Sequence, residues 1–526
     1  MYDAIQSSQE QQISPAIRSI VIVGGGAAGW ITAGLLAAKH HSAEDGGIQV
    51  TLIESPDIKI IGVGEGTWPT MRSTLQKMGI SETEFMRSCD ATFKQGAKFA
   101  KWVDGSTEDF YYHPLMLPQG FQKMDLAPYW HNYADRISFS EAVCFQEHIC
   151  EQGRAPKLIT TSEYDSVANY AYHLNAGKFA EFLQKHCTTK LGVRHILDNV
   201  TDISSAENGD IAAVMTEYNG SVAGDLFIDC TGFASLLLGR HYNVPFLDKS
   251  DILFIDTALA VQVPYDSEED AIASHTISTA QSAGWIWDIG LSSRRGIGHV
   301  YSSRHTSEDQ AQQDLRAYIG GTDKDLSIRK IPIKSGHRQT FWKNNCVAVG
   351  LSAGFLEPLE ASALVLIELS ATMISDQLPA RRDVMDIVAK RFNETTLYRW
   401  DRIIDFLKLH YILSKRTDHQ FWNDNRDPET IPESLKELMN LWKYRAPGDM
   451  DFTSNNEVFP AASYQYVLYG MGFKSDFSLS QQNLTKQQQA DDLFGRNMQA
   501  VQRAMASLPL HRDLINKVHK HGFQAI

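Results

Sequence analysis

Apolar residues form short continuous runs in the first two thirds of the chain and recur at helical spacing in the last third. The run "IRSIVIVGGGAAGWITAGLLAAKH", which starts at Ile17, predicts a buried strand, a glycine turn and then a helix. The next run, "IQVTLIES", predicts a second strand that ends at Glu54. A strand, helix and strand in this order predict a parallel sheet covered by helices.

Two later runs predict further strands of the same sheet. They are "GDLFIDCTGF" from Gly224 and "NNCVAVGLSAGF" from Asn344, and both end in turns that contain glycine. From about residue 380 the pattern changes: "RRDVMDIVAKRFNETTLYRWDRIIDFLKLHYIL" and "PESLKELMNLWKYR" predict long helices. We therefore predict an α/β module over residues 1–380 and a mainly helical region over residues 381–526.

Two tryptophans stand two residues apart in "AQSAGWIWDIGLSS", at positions 285 and 287. In a strand this spacing places Trp285 and Trp287 on the same face of the sheet. Packing in an ordinary core explains such a pair unless other motifs give it a function.

Composition and charge narrow the class of protein. The chain of 526 residues is 43% hydrophobic and 21% charged, which is typical of a folded globular protein. Its net charge of −14 argues against a nucleic-acid backbone or an anionic membrane as a partner. The six cysteines are scattered and form no CxxC pair, and the N-terminus lacks the apolar core of a signal peptide. We therefore expect a reduced, cytoplasmic protein without a membrane span, and we predict no metal site.

The glycine turn after the first predicted strand fits G-x-G-x-x-G. Such a turn brings the backbone and the next helix N-terminus close to a pyrophosphate, and an acid after the second strand binds the ribose. Because the sequence shows one such fingerprint, we predict that it binds FAD and receives its electrons from a separate enzyme. The predicted contacts are Gly24, Gly26, Ala27, Ala28, Gly29 and Glu54.

Several motifs together resemble those of the flavin-dependent halogenases, the tryptophan halogenase family. "VIVGGGAAGW" resembles the FAD fingerprint of the family, and "IIGVGEGTWPT" resembles its flavin strap. "FKQGAKFAKW" resembles the segment that carries the catalytic lysine, and "DFYYHPL" resembles a substrate-side segment. "GWIWDIGL" is similar to the W-x-W-x-I-P signature, and "GLSAGFLEPLEASAL" to the stretch with the catalytic acid. The resemblance extends from about residue 18 to residue 475.

The resemblance implies a fold and a reaction. The fold is the FAD-binding Rossmann-like fold of GR2-type flavin monooxygenases, with a substrate-side insertion at about residues 80–165 and a helical substrate-side cap. FAD, used as FADH2, would react with dioxygen and a halide ion, chloride or bromide, to make hypohalous acid. This oxidant would then halogenate a small, electron-rich aromatic substrate. A separate NAD(P)H-dependent flavin reductase would supply the FADH2, and the resemblance is compatible with a homodimer.

The resemblance also assigns roles to residues of this sequence. The catalytic pair would be Lys94 and Glu360. Additional flavin contacts would be Val63, Gly64, Glu65, Gly66, Leu351 and Gly354. The amides of Ser362 and Ala363 would hold the halide, and the flavin and tunnel residues would be Trp285, Trp287 and Phe355. The positions on the substrate side would be His113, Leu115 and Pro460.

The chemistry of the catalytic pair leaves two alternatives open. A free lysine has a pKa of about 10.4, so Lys94 would polarise hypohalous acid as an ammonium. If burial favours the neutral amine, Lys94 would carry the halogen as a haloamine instead. Glu360 would position the oxidant or take the proton from the ring, and Glu357 is its competitor for that role.

The sequence departs from the family pattern at four places. Gly290 replaces the proline of W-x-W-x-I-P, Ala361 replaces a serine, and Leu115 replaces a phenylalanine that stacks on the substrate. Fourth, Asn455, Asn456 and Pro460 stand where members that act on free tryptophan hold its amino-acid end with two tyrosines and a glutamate. Glu457 would compensate if the register slips.

We therefore predict that the substrate is indole, or an indole derivative without the amino-acid group, rather than free L-tryptophan. Two rival functions remain open on the sequence. One is an FAD-dependent aromatic monooxygenase that does not halogenate, and the other is a flavoprotein without catalytic activity.

Overall fold

A computed structural model describes residues 15–40, 47–58, 64–320, 326–454, 457–479 and 483–524. Within these ranges the chain forms 22 strands and 15 α-helices. The strands are, in chain order, β1 (Ser19–Val23), β2 (Gln49–Glu54), β3 (Glu65–Gly66), β4 (Thr92–Lys94), β5 (Gly96–Ala100), β6 (Phe110–Pro114), β7 (Ala171–Leu174), β8 (Arg194–Leu197), β9 (Val200–Ser205), β10 (Ile211–Thr216), β11 (Gly220–Ala223), β12 (Leu226–Asp229), β13 (Phe246–Asp248), β14 (Thr257–Pro264), β15 (Thr276–Gln281), β16 (Gly284–Gly290), β17 (Arg294–Tyr301), β18 (Arg329–Pro332), β19 (Gly336–Arg338), β20 (Trp342–Lys343), β21 (Cys346–Ala348) and β22 (Gly354–Phe355).

The α-helices are interspersed among groups of strands in the first part of the chain and follow one another in the last part. They are α1 (Ala27–His40), α2 (Thr70–Lys77), α3 (Glu82–Ser88), α4 (Ala127–Trp130), α5 (Phe139–Val143), α6 (Gln146–Glu151), α7 (Ala176–Lys190), α8 (Glu308–Ile319), α9 (Ser362–Asp376), α10 (Arg382–Ile412), α11 (Gln420–Asn425), α12 (Glu433–Trp442), α13 (Ala461–Gly470), α14 (Gln487–Ser507) and α15 (His511–His521).

The first predicted strand lies inside a mostly parallel sheet with the order β20-β21-β12-β1-β2-β8. β1 pairs in parallel with β2 and with β12, and β12 pairs in parallel with β21. The four residues from Ile20 to Val23 are nearly inaccessible, since helices and strands cover this continuous apolar run on both sides. The prediction of an α/β fold of Rossmann type is confirmed.

A second, larger sheet has the order β18-β14-β17-β16-β15-β5-β6 and is antiparallel apart from the pairing of β15 with β5. β16 contains both tryptophans of the W-x-W motif, and they alternate with Ile286. Ile286 packs in a separate apolar cluster from Trp285, so the two faces of the strand are distinct. The prediction that both indoles share one face is confirmed.

A small sheet of order β3-β7-β4 brings together two sequence motifs, the strap motif in β3 and the lysine motif in β4. Gly66 of β3 lies opposite His173 of β7, and Lys94 of β4 lies opposite Ala171 of β7. The flavin-strap motif and the lysine motif therefore reach the same place through one shared strand.

The last part of the chain is helical, as its periodicity predicts. The 31 residues of α10 make a rod of about 46 Å at the usual rise per residue. One cluster of buried apolar residues extends from Ile17 to Val518, so α10 packs on the same core as the parallel sheet. The domain boundary at residue 380 stays a prediction. Among the described residues, no helix is both long and apolar enough to cross a membrane.

Candidate active site

The glycine turn between β1 and α1 is closed toward the sheet and open on one side. Gly24 has a φ of +116°, and a Cβ there would lie 2.1 Å from the carbonyl oxygen of Cys230. A Cβ on Gly29 would lie 1.9 Å from the carbonyl oxygen of Gly24. A Cβ on Gly26 would meet no atom within 4 Å. Gly26 therefore marks the free side of a cradle at the start of α1, where a pyrophosphate can approach the backbone.

Glu54 stands beside this cradle at the end of β2. A Cβ on Gly25 would lie 2.2 Å from Glu54 Cδ, so the carboxylate and the turn are in contact. His195 Nε2 lies 3.0 Å from Glu54 Oε2, although the geometry is not that of a hydrogen bond. In the described part of the chain this buried oxygen has no hydrogen-bond partner, so it is available to a ribose hydroxyl. The glycine cradle and this free oxygen fit the adenosine diphosphate part of FAD.

A cavity of about 40 Å³ is enclosed by residues 350–356 and by side chains of α9 and α10. Leu351, Gly354 and Phe355 line it on one side, and Ser362 and Ala363 line it on the other. The structure thus brings together predicted flavin contacts and the predicted halide site. Two further lining residues come from α10, namely Thr396 and Trp400, and sequence reasoning missed both.

Other predicted flavin contacts lie around this region. Ala27 and Ala28 begin α1, and a Cβ on Gly350 would lie 2.8 Å from Ala28 Cβ. Gly64 approaches Leu291 and Gly296. Burial raises the pKa of Glu65 to about 7. Val63 lies outside the described residues.

The turn before α9 has an unusual backbone. Glu360 has a φ of +65° and Ala361 a φ of +56°, both in the left-handed region that costs a residue other than glycine about 1–3 kcal/mol. Trp68 stabilises the turn by donating from Nε1 to the Glu360 carbonyl oxygen at 2.9 Å. The helix begins at Ser362, so its first amides have no partner inside the helix. Glu360 and the amides of Ser362 and Ala363 are thereby placed at the two ends of one tight turn.

Lys94 is buried beside this turn. Its Nζ donates to the Thr67 carbonyl oxygen at 3.2 Å. A Cβ on Gly66 would lie 3.6 Å from Lys94 Nζ and 3.3 Å from Ala361 Cβ, so the amine, the strap and the turn meet at one point. Burial lowers the pKa of Lys94 to about 8, although the nearby Glu360 carboxylate raises it. Lys98, in contrast, pairs with Glu151 at 2.7 Å nearer the surface.

Glu360 is buried between two histidines. His113 donates from Nδ1 to its carboxylate, at 2.9 Å from Oε1 and 3.0 Å from Oε2. His410 Nε2 lies 3.3 Å from Oε1. Burial would raise the pKa of Glu360, but the two histidines more than offset it and hold the pKa well below its usual range. The carboxylate is therefore ionised and held in place, as a general base must be.

Glu357, the competing acid, contacts a different set of residues from Glu360. It is fully buried and accepts from Trp285 Nε1 at 2.9 Å and from the Tyr411 hydroxyl at 2.6 Å. Burial raises its pKa to about 7. Glu357 thus fixes the orientation of the Trp285 ring, whereas Glu360 shares its site with Lys94.

Trp287 packs differently from Trp285. It is half-buried, and Gly298 makes room for its ring, because a Cβ on Gly298 would lie 2.1 Å from the ring atoms. Its Nε1 has no hydrogen-bond partner among the residues that the structure describes. Gly290, which replaces the proline of the W-x-W-x-I-P motif, is the last residue of the same strand. It is closely packed, because a Cβ there would be 2.8 Å from Ile272 Cγ2.

Aromatic side chains surround His113 on the substrate side. The rings of Phe406 and Phe459 stack at 3.8 Å, and each contacts the His113 ring. Trp68 contacts the Phe459 ring edge-on. Leu115 lies at the end of β6 and is held through its backbone amide, which donates to Gln146 Oε1 at 2.8 Å. Phe406 and Phe459 thus place two stacked aromatic rings beside His113, whereas Leu115 offers no ring.

The structure describes Pro460, one of the positions at which members that act on free tryptophan are expected to hold its amino-acid end. Pro460 directly precedes α13, and its carbonyl oxygen accepts from the Ser463 amide at 2.8 Å. Asn455 and Asn456 lie outside the described residues. Glu457 accepts a hydrogen bond from the Tyr398 hydroxyl. Its carboxylate is therefore engaged within the protein.

Sequence reasoning missed His410, Phe406 and Phe459. Phe406 and His410 are four residues apart in α10, so a helical prediction places them on one face. Nothing in that spacing indicates that the face turns toward Glu360.

The cradle gives a direct test of the nucleotide site. We expect Gly26→Ala to leave the thermal unfolding midpoint unchanged but to weaken FAD binding at least about tenfold, or about 1.4 kcal/mol, since the new methyl group enters the free side. Gly29→Ala should instead lower the midpoint, because the methyl group overlaps the Gly24 carbonyl. Thermal melts and FAD titrations measure both effects. Gly495→Ala, in open space on α14, is the control, and FAD binding by Gly26→Ala equal to that of the control would contradict the assignment.

The chain matches known proteins over most of its length. The family model "Tryptophan halogenase" matches residues 19–485. A tryptophan 6-halogenase of Streptomyces toxytricini is 33% identical over 474 residues, which are 86% of this chain and 89% of that protein. A 7-chloro-L-tryptophan 6-halogenase of Kutzneria sp. (strain 744) is 32% identical over 520 residues, which are 95% of this chain and 99% of that protein.

A solved structure shows the same fold. The crystal structure of a tryptophan halogenase from Shewanella frigidimarina superposes with a TM-score of 0.93 at 49% identity and covers 97% of this chain and 99% of that chain. With the family model and these relatives, the superposition confirms the expected fold, the FAD cofactor and the halide requirement. This chain therefore belongs to the tryptophan halogenase family and is a flavin-dependent halogenase that uses FADH2.

Proposed function

We propose that this enzyme transfers an electrophilic halogen from hypohalous acid to the ring of indole, or of an indole derivative, with Lys94 and Glu360 as the catalytic pair. The observation that carries this proposal is the meeting of Lys94, Gly66 and the Glu360–Ala361 turn within 4 Å of one point. The same turn leads into the amides of Ser362 and Ala363, which line the cavity beside the predicted flavin contacts. An oxidant made at the cavity thus has only a short path to the amine.

The halide would lie at the start of α9. Backbone N–H groups at a helix start attract a small anion, since they are unpaired and lie at the positive end of the helix dipole. Ser362 and Ala363 would supply these groups through their backbone, so a change of side chain at Ala363 leaves the donors in place. When bound, reduced FAD supplies the reduction of dioxygen that turns this halide into hypohalous acid.

Lys94 would act as an ammonium. Its pKa, which burial lowers to about 8, still lies above pH 7, so the ammonium is the main form there. The Lys94 ammonium gives a proton to the hydroxyl oxygen of hypohalous acid, which leaves as water while the halogen bonds to the ring carbon. The amine is then neutral, and the ring proton released in the next step balances the proton that Lys94 gave up. The adjacent Glu360 carboxylate favours the charged form, which supports this alternative over the haloamine.

Glu360 would remove the ring proton. Halogen transfer leaves a cationic ring with one carbon bearing both hydrogen and halogen. An ionised carboxylate stabilises this cation and accepts its proton, which restores the aromatic ring. The low pKa that His113 and His410 impose on Glu360 keeps it ionised throughout the working pH range.

The choice of indole over free L-tryptophan rests on the missing clamp. Pro460 has no group that binds an ammonium. The half-buried Glu457 carboxylate is engaged by Tyr398, with Arg399 and Arg402 nearby. An α-ammonium would have to displace these partners, and such a displacement weakens binding. The relatives named above act on tryptophan or chlorotryptophan according to their names, so free L-tryptophan is the competing substrate.

A separate NAD(P)H-dependent flavin reductase would supply the FADH2. The support is the one dinucleotide fingerprint in the sequence, at Gly24–Gly29. We therefore include a reductase in the experiment that tests the function.

The proposed function predicts the outcome of a competition experiment. The protein is incubated with FAD, a flavin reductase, NADH, air and bromide, and indole and L-tryptophan compete in equal amounts. We expect bromoindole as the main product, since aromatic rings lie beside His113 and the Glu457 carboxylate is engaged by Tyr398 rather than open to an ammonium. Mass spectrometry identifies each product by its bromine isotope doublet.

A Lys94→Ala protein serves as the control, because free hypobromite brominates indole unaided. Bromoindole that depends on Lys94 supports the proposal. Bromotryptophan as the main product would contradict the choice of substrate and leave the halogenase function standing. An oxygenated product without bromine would contradict the halogenation itself.

A further inference from the structure

Trp68 places an indole ring of the protein itself at the turn that carries Glu360. Its Nε1 donates to the Glu360 carbonyl oxygen at 2.9 Å, and its ring meets the Phe459 ring edge-on, with 4.8 Å between the centroids. Phe459 in turn contacts the His113 ring. The indole of Trp68 therefore contacts both the Glu360 turn and one of the aromatic rings beside His113.

The backbone of Trp68 lies beside the Lys94 amine. The Thr67 carbonyl oxygen, which accepts from Lys94 Nζ at 3.2 Å, belongs to the peptide group that joins Thr67 to Trp68. Lys94 Nζ and Ala361 Cβ lie 3.6 and 3.3 Å from one point, the position of a Cβ on Gly66. The amine is thus close both to the peptide group of Trp68 and to the turn that its indole contacts.

Most tryptophans of the chain are shielded from an oxidant. All ten lie in the described ranges; eight are buried, and Trp68 and Trp287 are half-buried. Trp287 is on β16, where its ring packs against Gly298. Of the two half-buried rings, that of Trp68 is the one attached to the peptide group that Lys94 contacts.

The chemistry of this ring matches that of the proposed substrate. A tryptophan side chain contains the same electron-rich indole that hypohalous acid halogenates, because the nitrogen lone pair is shared with the ring carbons. We propose that Trp68 is a modification site, which the enzyme halogenates with its own oxidant when no substrate is bound. This inference rests on the proposed function, since it requires hypohalous acid at Lys94.

The reaction balances without a further reagent. The halogen–oxygen bond of hypohalous acid breaks as a carbon–halogen bond forms on the Trp68 ring, and the hydroxyl oxygen leaves as water with the proton that Lys94 gives. The C–H bond of the same ring carbon then breaks, its electron pair restores the aromatic ring, and its proton passes to the neutral Lys94 amine. The ring is oxidised by two electrons, and the halogen is reduced from its +1 to its −1 state.

Halogenation of Trp68 should inactivate the enzyme. The ring packs against Phe459 and is hydrogen-bonded to the Glu360 turn, so a halogen on it has to displace one of them. Added bulk in a packed site shifts the neighbouring side chains and backbone. We therefore expect the modified enzyme to lose the geometry on which bromination of indole depends.

Peptide mass spectrometry tests this inference. The protein is incubated with FAD, a flavin reductase, NADH, air and bromide, with and without indole, and is then digested with trypsin. Trp68 is the one aromatic residue of the tryptic peptide 60–72, so a bromine isotope doublet on this peptide reports Trp68. Without indole we expect the doublet, and with indole a yield at least about tenfold lower, because a bound substrate takes the oxidant first. Lys94→Ala should not show it.

Two exposed side chains report oxidant that has escaped from the site. Tyr218 is 82% exposed and Met450 is 97% exposed, so hypobromite added as a reagent should modify them before Trp68. In the enzymatic reaction, bromination of Trp68 should exceed that of Tyr218 at least about tenfold, since Lys94 holds the oxidant beside it.

Trp68→Phe tests the consequence for activity. This variant keeps an aromatic ring against Phe459 but lacks the electron-rich indole. Each protein is compared with its own activity before incubation without substrate, so the lost hydrogen bond to Glu360 does not enter the comparison. We expect the variant to retain a larger fraction of its bromoindole activity than the wild type.

The outcomes separate this inference from the proposed function. If the wild type forms bromoindole but peptide 60–72 carries no bromine after incubation without indole, the inference is wrong and the proposed function stands. Equal bromination of Trp68 in the wild type and in Lys94→Ala would also overturn the inference, since diffusing oxidant would then be the cause. Bromine on Trp68 without any bromoindole would support the inference and contradict the choice of substrate.

Discussion

Lys94→Ala should lower the yield of halogenated product by about 10²- to 10³-fold while hypohalous acid is still formed. The reason is the position of the amine, which lies beside the Glu360–Ala361 turn. Lys94 is not among the residues that line the cavity of Leu351, Gly354 and Phe355, here called the flavin cavity. Without it, nothing at that point polarises the oxidant. Halogenated product is measured by mass spectrometry. An excess of a dye that reacts with hypohalous acid is added to the same reaction, so that it reports the released oxidant and captures it before it halogenates indole unaided.

The control for this variant is Lys98→Ala. Lys98 is four residues along the chain and forms an ion pair with Glu151 that is partly open to solvent, so its loss should cost at most about 1 kcal/mol of stability and little activity. Equal losses of product and of hypohalous acid in Lys94→Ala would contradict the assigned role, since they would place the lysine in flavin or halide binding instead.

The same assay, repeated over a range of pH, tests whether Lys94 acts as an ammonium or as a neutral amine. Because the pKa of Lys94 is lowered to about 8, the ammonium is lost as the pH rises through that value. Product formed per hypohalous acid released should therefore fall above about pH 8 if the ammonium presents the oxidant. A rise over the same range would favour the haloamine.

Glu360→Gln should have an effect of similar or larger size, a loss of about 10²- to 10⁴-fold in halogenated product, since an amide is not a base. The side chain keeps its shape, and Gln still offers one oxygen to His113, so the fold should persist. Formation of hypohalous acid should be unchanged, because Glu360 is not among the residues that line the flavin cavity.

Glu368→Gln is the matched control for the removal of a buried carboxyl group. Glu368 lies on α9 and accepts from Thr70 and Thr74, where burial raises its pKa to about 8. An amide there replaces a carboxyl group that is largely neutral, so activity should change little. A Glu360→Gln enzyme as active as this control would show that the ring proton leaves without Glu360.

Motifs and local pattern were sufficient for part of the site. Gly24 and Gly29 have to be glycines, because a Cβ at either position would overlap a carbonyl oxygen, that of Cys230 or that of Gly24. A short glycine motif is therefore enough to predict the turn. Trp285 and Trp287 share a face because alternation along one strand decides it.

The missing parts of the site depend on contacts between distant segments. His113 and Glu360 are separated by 247 residues, and Tyr111 and His410 by 299. His410 lies in an unbroken helical pattern. Its spacing from Phe406 predicts that the two side chains share a helix face, but not which residues that face contacts. Glu457 is similar: its sequence position left it open as an ammonium site, and only its contact with Tyr398 shows that its carboxylate is engaged.

The sequence by itself determined the parallel sheet with its glycine cradle, the shared face of the two tryptophans and the helical last third, because periodicity and short motifs act over a few residues. The tertiary structure alone decided that Glu360 is buried between His113 and His410, that the stacked rings of Phe406 and Phe459 lie beside His113, and that Glu357 holds Trp285. These arrangements follow from the packing of β6, α9, α10 and α13 around one point, and the energy of such packing comes from contacts that no local stretch of sequence contains.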